Sequence, residues 1–178
     1  MYPEIAPDDK DWTWVLERPC PECGFDASEL DASSVAGLIR DNALEWQEVL
    51  RSPAEELRAR PRVDRWTDLE YAAHVRDVHR RFIDRLVLML EVDDPLFENW
   101  DQDETAREER YNEQDPIAVS LELADAAEHL AAGFDRVVGD QWQRTGRRSD
   151  GSEFTIATLA LYLVHDPVHH LWDVRSAE

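Results

Sequence analysis

The chain has 178 residues, of which 43% are hydrophobic, and 40 acidic against 19 basic residues give a formal net charge of -21. That length and composition suffice for one sizeable core. An acidic excess of this size repels phosphate backbones and anionic lipid surfaces, which argues against nucleic-acid and membrane partners. No apolar run reaches membrane-spanning length, and the opening MYPEIAPDDKDW has neither the basic end nor the apolar stretch of a signal peptide. Two cysteines do not make a disulfide framework, so the expected compartment is the cytoplasm.

Residues 1–30, with Pro3, Pro7, Pro19 and Pro21, read as an irregular arm pinned to the body by Trp12, Trp14, Val15 and Leu16. Residues 31–178 read as one helical domain. Apolar residues at spacings of three and four predict a first long helix from Asp31 or Ser33 to Arg51. Ser52-Pro53 ends it or opens a short extra helix through Leu57. Thr67-Asp-Leu-Glu70 is a capping box, which predicts a second long helix to about Leu90 with His74 on or beside its buried stripe. Residues 91–115 form a long acidic connection holding Trp100 and Tyr111, with a short helix expected around Glu104 to Arg110. Asp115 as cap and Pro116 at the first position open a third long helix, followed by a polar loop from Gly139 to Gly151. A fourth runs from near Thr155 to about Val174, and Pro167 predicts a kink or loosened turn within it. Four such helices without β-rich runs predict an all-α fold, a four-helix bundle.

Chemistry concentrates in the last helix. His165 and His169, four apart, share a face, whereas His170 is rotated about 100° from His169 and is expected to point elsewhere. Two such histidines can hold a divalent ion if another element brings a third ligand, and inward-facing His74 is the best candidate. A lone inward histidine is most often a hydrogen-bonded core residue; the combination across two helices is what points to metal. Three imidazoles with an open water position describe a catalytic type of zinc site, and nickel or iron also fit. Glu70, Asp77 and Asp173 are spaced to accept the far ring protons of these histidines, and Asp166 lies one step round the helix, off their face. His79 and His129 read as surface or hydrogen-bonded residues.

Cys20 and Cys23, in CPEC, are half of a zinc knuckle or a redox pair. The simplest expectation is a docked arm with reduced cysteines, although a thiolate could also complete the histidine site. Trp100 and Tyr111 are candidate walls of a pocket over the metal. Arg147 and Arg148 are candidate holders of a substrate carboxylate.

The segments WTDLEYAAHVRDVH and YLVHDPVHHLWDV resemble the DinB-like superfamily of metal-binding four-helix proteins, related to thiol-dependent S-transferases and mycothiol-dependent maleylpyruvate isomerase. The resemblance runs from about residue 30 to 175, and CPECGFD, ENWDQD and RTGRRSDG are similar to an actinobacterial branch. It implies a DinB-like bundle, a divalent ion, zinc or nickel, on His74, His165 and His169, and pairing as homodimers. It also implies a low-molecular-weight thiol such as mycothiol as cosubstrate, whose metal-bound thiolate attacks a small electrophile. Leu171-Trp172-Asp173 stands where many relatives have Gly-Gln, and Pro167 is unusual within the motif.

A metal-dependent thiol transferase is therefore the leading expectation. A hydrolase using metal-bound water is the alternative. A carboxylate such as Asp77 or Asp173 turned into the open site would favour it, and one tied to a histidine ring would not. A non-catalytic, stress-associated metal-binding module is the third, favoured by a site closed by a fourth protein ligand such as Cys20 or Cys23.

Overall fold

Capping residues set the helix boundaries in the computed structural model, which describes Ile5 and residues 11–176. The parts of the expected arm and domain at 1–4, 6–10 and 177–178 lie outside the described residues. Helix α1 (Val35–Val49) follows a 3-10 turn whose cap, Asp31, accepts from the Ser33 amide. The short α2 (Ala54–Leu57) starts after Pro53. Helix α3 (Asp68–Glu91) has the full capping box. Thr67 Oγ1 accepts from the Glu70 amide at 3.2 Å, and the Glu70 carboxylate accepts from the Thr67 amide at 2.7 Å.

Thr67 is fully buried, and its hydroxyl also donates to Asn112 Oδ1 at 2.8 Å. Thr67→Ala is therefore expected to cost about 2 kcal/mol, the upper end for a lost cap. Urea denaturation checks this: the midpoint falls with an unchanged slope, and Thr67→Ser recovers most of the loss.

Helix α4 (Gln102–Glu108) occupies the long connection, α5 (Pro116–Phe134) opens with Asp115 and Pro116 as its cap and first residue, and α6 (Ile156–Arg175) opens on Thr155. Both α1 and α3 pack on α5 and on α6, so α1 lies diagonally across the bundle from α3. The four long helices form a four-helix bundle whose fully buried side chains include Trp46, Leu69, Met89, Leu123, Leu130 and Leu163. No helix among the described residues is long and apolar enough to cross a membrane.

The connections hold structure that periodicity does not announce. A three-stranded sheet joins β1 (Leu96–Phe97), parallel, to β2 (Thr145–Arg148), which pairs antiparallel with β3 (Glu153–Thr155). Strands of two to four residues are too short to express an alternating pattern. Their buried side chains, Phe97 and Phe154, cap one end of the bundle, and Gly146 lies so close to Met89 that a Cβ would sit 2.9 Å from its Cγ.

Pro167 does not interrupt α6, which is helical from Ile156 to Arg175. Its carbonyl accepts from Asn42 Nδ2 at 3.3 Å and Trp46 Nε1 at 3.2 Å, both on α1. These cross-helix bonds hold the turn where a proline removes a backbone donor.

Candidate metal centre

Helix α6 carries two interleaved pairs four residues apart, His165 with His169 and Asp166 with His170. The pairs face about 100° apart, so each meets a different neighbour. The face with Asp166 and His170 meets His74 on α3. The face with His165 and His169 meets the arm, where Trp12 lies 5.1 Å and 5.0 Å from their rings, centroid to centroid.

The candidate ligands therefore form two groups among the described residues: His74, Asp166 and His170 in one, and Cys20, Cys23, His165 and His169 in the other, with ligand atoms within 4.8 Å in each. The expected trio of His74, His165 and His169 is divided between them. His170 and Asp166, expected off the functional face, are the residues that join His74. Both pairs are legible in HDPVHH, but choosing between them requires knowing which face of α6 meets α3.

In the first group, Asp166 Oδ1 lies 3.3 Å from His74 Nε2 and 3.9 Å from His170 Nε2. Ligand atoms bound about 2.0 Å from a tetrahedral zinc stand about 3.3 Å apart, so the triangle fits a divalent ion. His74 is fully buried; its Nδ1 has no hydrogen-bond partner, and its Nε2 and the buried Asp166 Oδ1 have only their mutual 3.3 Å contact. Buried polar atoms of this kind are rare unless something coordinates them. Burial opposes ionisation of Asp166, but the His74 and His170 rings overcome it and hold the carboxyl well below the usual range. Asp166 is thus present as the anion a metal prefers.

The surroundings orient these ligands. Asp173 Oδ2 lies 3.0 Å from His170 Nδ1, and Arg65 donates to Asp173 Oδ1 at 2.9 Å. A carboxylate on Nδ1–H leaves Nε2 as the ring's lone-pair donor, facing Asp166. Trp100 stacks on His74 with ring centroids 5.3 Å apart and planes 11° from parallel, and its indole N–H donates to Thr105 Oγ1.

The other expected site residues are placed as follows. Asp77 accepts from Arg76, Arg80 and Tyr111, an ion-pair cluster on α3 that holds its carboxyl low despite its burial. Glu70 accepts from the Thr67 amide and from Arg60 at 2.9 Å. Tyr111 is fully buried, so it is not a pocket wall; it anchors the connection from beneath. Arg147 and Arg148 are neighbours in β2 and so point to opposite faces. Arg148 lines the cavity and pairs with Asp150, whereas Arg147 pairs with Asp94 and does not line it. His129 is a surface residue beside Asp125. His79, expected at the surface or hydrogen-bonded, is instead fully buried with neither ring nitrogen paired.

A cavity of about 600 Å³ opens over Asp166 and His170, walled by Trp12, Phe82 and Trp100 and by Arg85 and Arg148. Arg85 is buried between Phe82 and Phe97, and its Nε has no hydrogen-bond partner. Burial, reinforced by the charge of Arg148, pushes its pKa down to about 10. Arg85 remains a cation at neutral pH.

The DinB superfamily model matches residues 38–174 of the chain. The chain is 31% identical over 124 residues to the protein named "Putative metal-dependent hydrolase BH0277" from Halalkalibacterium halodurans, covering 68% of this chain and 71% of that protein. Its fold is similar to that of YfiT from Bacillus subtilis, described as "a probable metal-dependent hydrolase with an unusual four-helix bundle topology". The TM-score is 0.75 at 17% identity, over 82% of this chain and 85% of that one. A four-helix bundle with a family match across most of its length and a histidine-rich last helix leads to one assignment: the chain belongs to the DinB superfamily.

Proposed function

We propose that the chain is a metal-dependent hydrolase of small anionic substrates, with a divalent ion held by His74, Asp166 and His170. The observation that carries this is the triangle of three ligand atoms at a cavity, with Asp173 fixing the ring orientation of His170. Two imidazoles and a carboxylate suit zinc, with nickel as the alternative. Such an ion supplies Lewis acidity, polarising a substrate oxygen and lowering the pKa of water or a thiol.

The chain's own residues do the rest. Arg85 and Arg148 offer donors to an anionic group of the substrate. Trp12 and Trp100 keep part of the cavity apolar. Asp77 and Asp173 are already held by arginines, and Asp173 by His170 as well. The cavity is also lined by the carboxylates of Asp11, Asp101, Asp103 and Asp150, of which Asp150 is paired with Arg148 and Asp11 and Asp101 cap helical turns. The similarity to the protein named "Putative metal-dependent hydrolase BH0277" adds support.

Thiol transfer is the second reading. It is favoured by the engagement of Asp77 and Asp173, because a transferase needs no carboxylate base of that kind. A mycothiol-like cosubstrate and a small electrophile would share the same cavity.

Metal analysis of protein purified without added metal tests the site. Asp166→Ala and His170→Ala are each expected to lose about one equivalent with an unchanged circular dichroism spectrum, while His129→Ala retains it. Unchanged metal content in both would sink the proposal. Turnover of small anionic esters and amides with water alone favours hydrolysis; turnover that appears only with added thiol favours transfer.

A further inference from the structure

The second group of ligands is not used by the proposed reaction. Cys20 Sγ lies 3.7 Å from His169 Nδ1. Around a tetrahedral zinc, with bonds of about 2.3 Å to sulfur and about 2.0 Å to nitrogen, those two atoms would be about 3.6 Å apart. The donors are two cysteines spaced C-x-x-C and two histidines spaced H-x-x-x-H, a set typical of structural zinc.

The loop that carries the cysteines is already shaped for this. The Cys20 amide donates to Phe25 O at 2.8 Å, and the Gly24 amide donates to Cys20 O at 2.9 Å. Gly24 has φ +75°, a left-handed conformation that residues with a Cβ rarely adopt. Burial, with Cys20 alongside, pushes the Cys23 thiol up to about 12.

On the helix side, His165 and His169 are buried, and His165 Nε2 has no hydrogen-bond partner. The far nitrogen of His169, Nε2, faces Glu22 Oε2 at 3.6 Å and Asp173 Oδ2 at 3.8 Å, the outer carboxylates a ligating imidazole usually has. Trp12 and the edge of Phe25 cover the rings.

We propose a second metal site, a closed structural zinc bound by Cys20, Cys23, His165 and His169, that fastens the arm to α6. Four protein ligands complete a tetrahedral shell, and His165 and His169 also edge the cavity that Trp12 walls. Redox chemistry of the pair is disfavoured by its setting. Cys20 begins no helix, since a turn and then the 3-10 segment Ala27–Glu29 follow it, and two imidazoles stand within ligand distance of the sulfurs. The proposal shares no ligand with the His74 site and stands or falls separately.

Cobalt(II) titrated under reducing conditions into the full chain, stripped of metal by chelator, provides the test. The expected result is a thiolate-to-cobalt charge-transfer band in the near ultraviolet with intense tetrahedral d–d bands, saturating at about one equivalent. The charge-transfer band should persist in Asp166→Ala and His74→Ala, fall sharply in Cys23→Ser, vanish in Cys20→Ser/Cys23→Ser, and be displaced by zinc. Zinc should raise the melting temperature of Asp166→Ala, but not of the double variant Asp166→Ala/Cys23→Ser. Cobalt that binds wild-type protein without a thiolate band overturns this site, and if that cobalt is lost on Asp166→Ala the His74 site is left standing. A band that survives in Cys20→Ser/Cys23→Ser overturns it as well.

Discussion

Acidification from pH 7 to pH 4 is expected to remove about 3 kcal/mol of stability through His79 alone. His79 is fully buried in α3, and burial pushes its pKa down to about 4. In the unfolded chain an imidazole titrates near about 6.5. Between those two values the unfolded chain binds a proton that the folded one refuses, so stability falls as the pH drops through that window and is unaffected above it. A difference of about 2.5 pH units at about 1.4 kcal/mol each gives the magnitude. His165, also pushed to about 4 by burial, adds to the same slope in metal-free protein. Denaturant titrations of metal-free protein at a series of pH values measure the effect. His79→Leu should match or exceed the wild type at pH 7, because neither ring nitrogen has a partner to lose. It should also flatten the decline below pH 6.5, with His165, His169 and the depressed carboxylates supplying the remainder. Parallel slopes in the two proteins would rule His79 out as the acid-sensitive group.

Trp46→Ala is the second large effect, a loss of about 4 kcal/mol. Trp46 is fully buried on α1, where truncation leaves a cavity that the bundle only partly fills. Its indole N–H also donates to the Pro167 carbonyl at 3.2 Å, leaving Asn42 as the remaining side-chain donor to that oxygen. Trp46→Phe separates the two contributions. It keeps most of the volume, loses the hydrogen bond, and should cost about 1–2 kcal/mol. Pro167 follows Asp166 directly and precedes His169 and His170 by two and three residues. The Phe variant should therefore weaken metal retention more than its stability loss would suggest. Equal metal content in Trp46→Phe and wild type would show that the α1 bonds serve packing alone.

The helices were legible because their signals are local. Thr67 with Glu70, Asp115 with Pro116, and Thr155 mark starts that the structure keeps within about a residue. The sheet was not legible, since its strands are too short for alternation to register, and one of its pairings joins Leu96 to Arg147 across the whole of α4 and α5. At the candidate site, residue type and spacing pointed to histidines on α3 and α6, and that much needed no structure. The grouping of those histidines depends on the rotation of α6 about its axis. A one-residue step turns the helix by about 100°, and periodicity in a segment where nearly every face is covered does not fix it. The same limit hid His79, because a helix buried on most sides does not reveal from sequence which polar residue is enclosed.

Asp173 Oδ2 stands 3.0 Å from His170 Nδ1 and 3.8 Å from His169 Nε2. One acceptor atom thus faces a ring from each ligand group, hydrogen-bonded to His170 and in longer electrostatic contact with His169. Ions bound at both proposed sites would therefore be linked through this carboxylate without any movement of α6. Whatever factor an ion at the cysteine group imposes on affinity at the His74 group, an ion at the His74 group must return in equal measure.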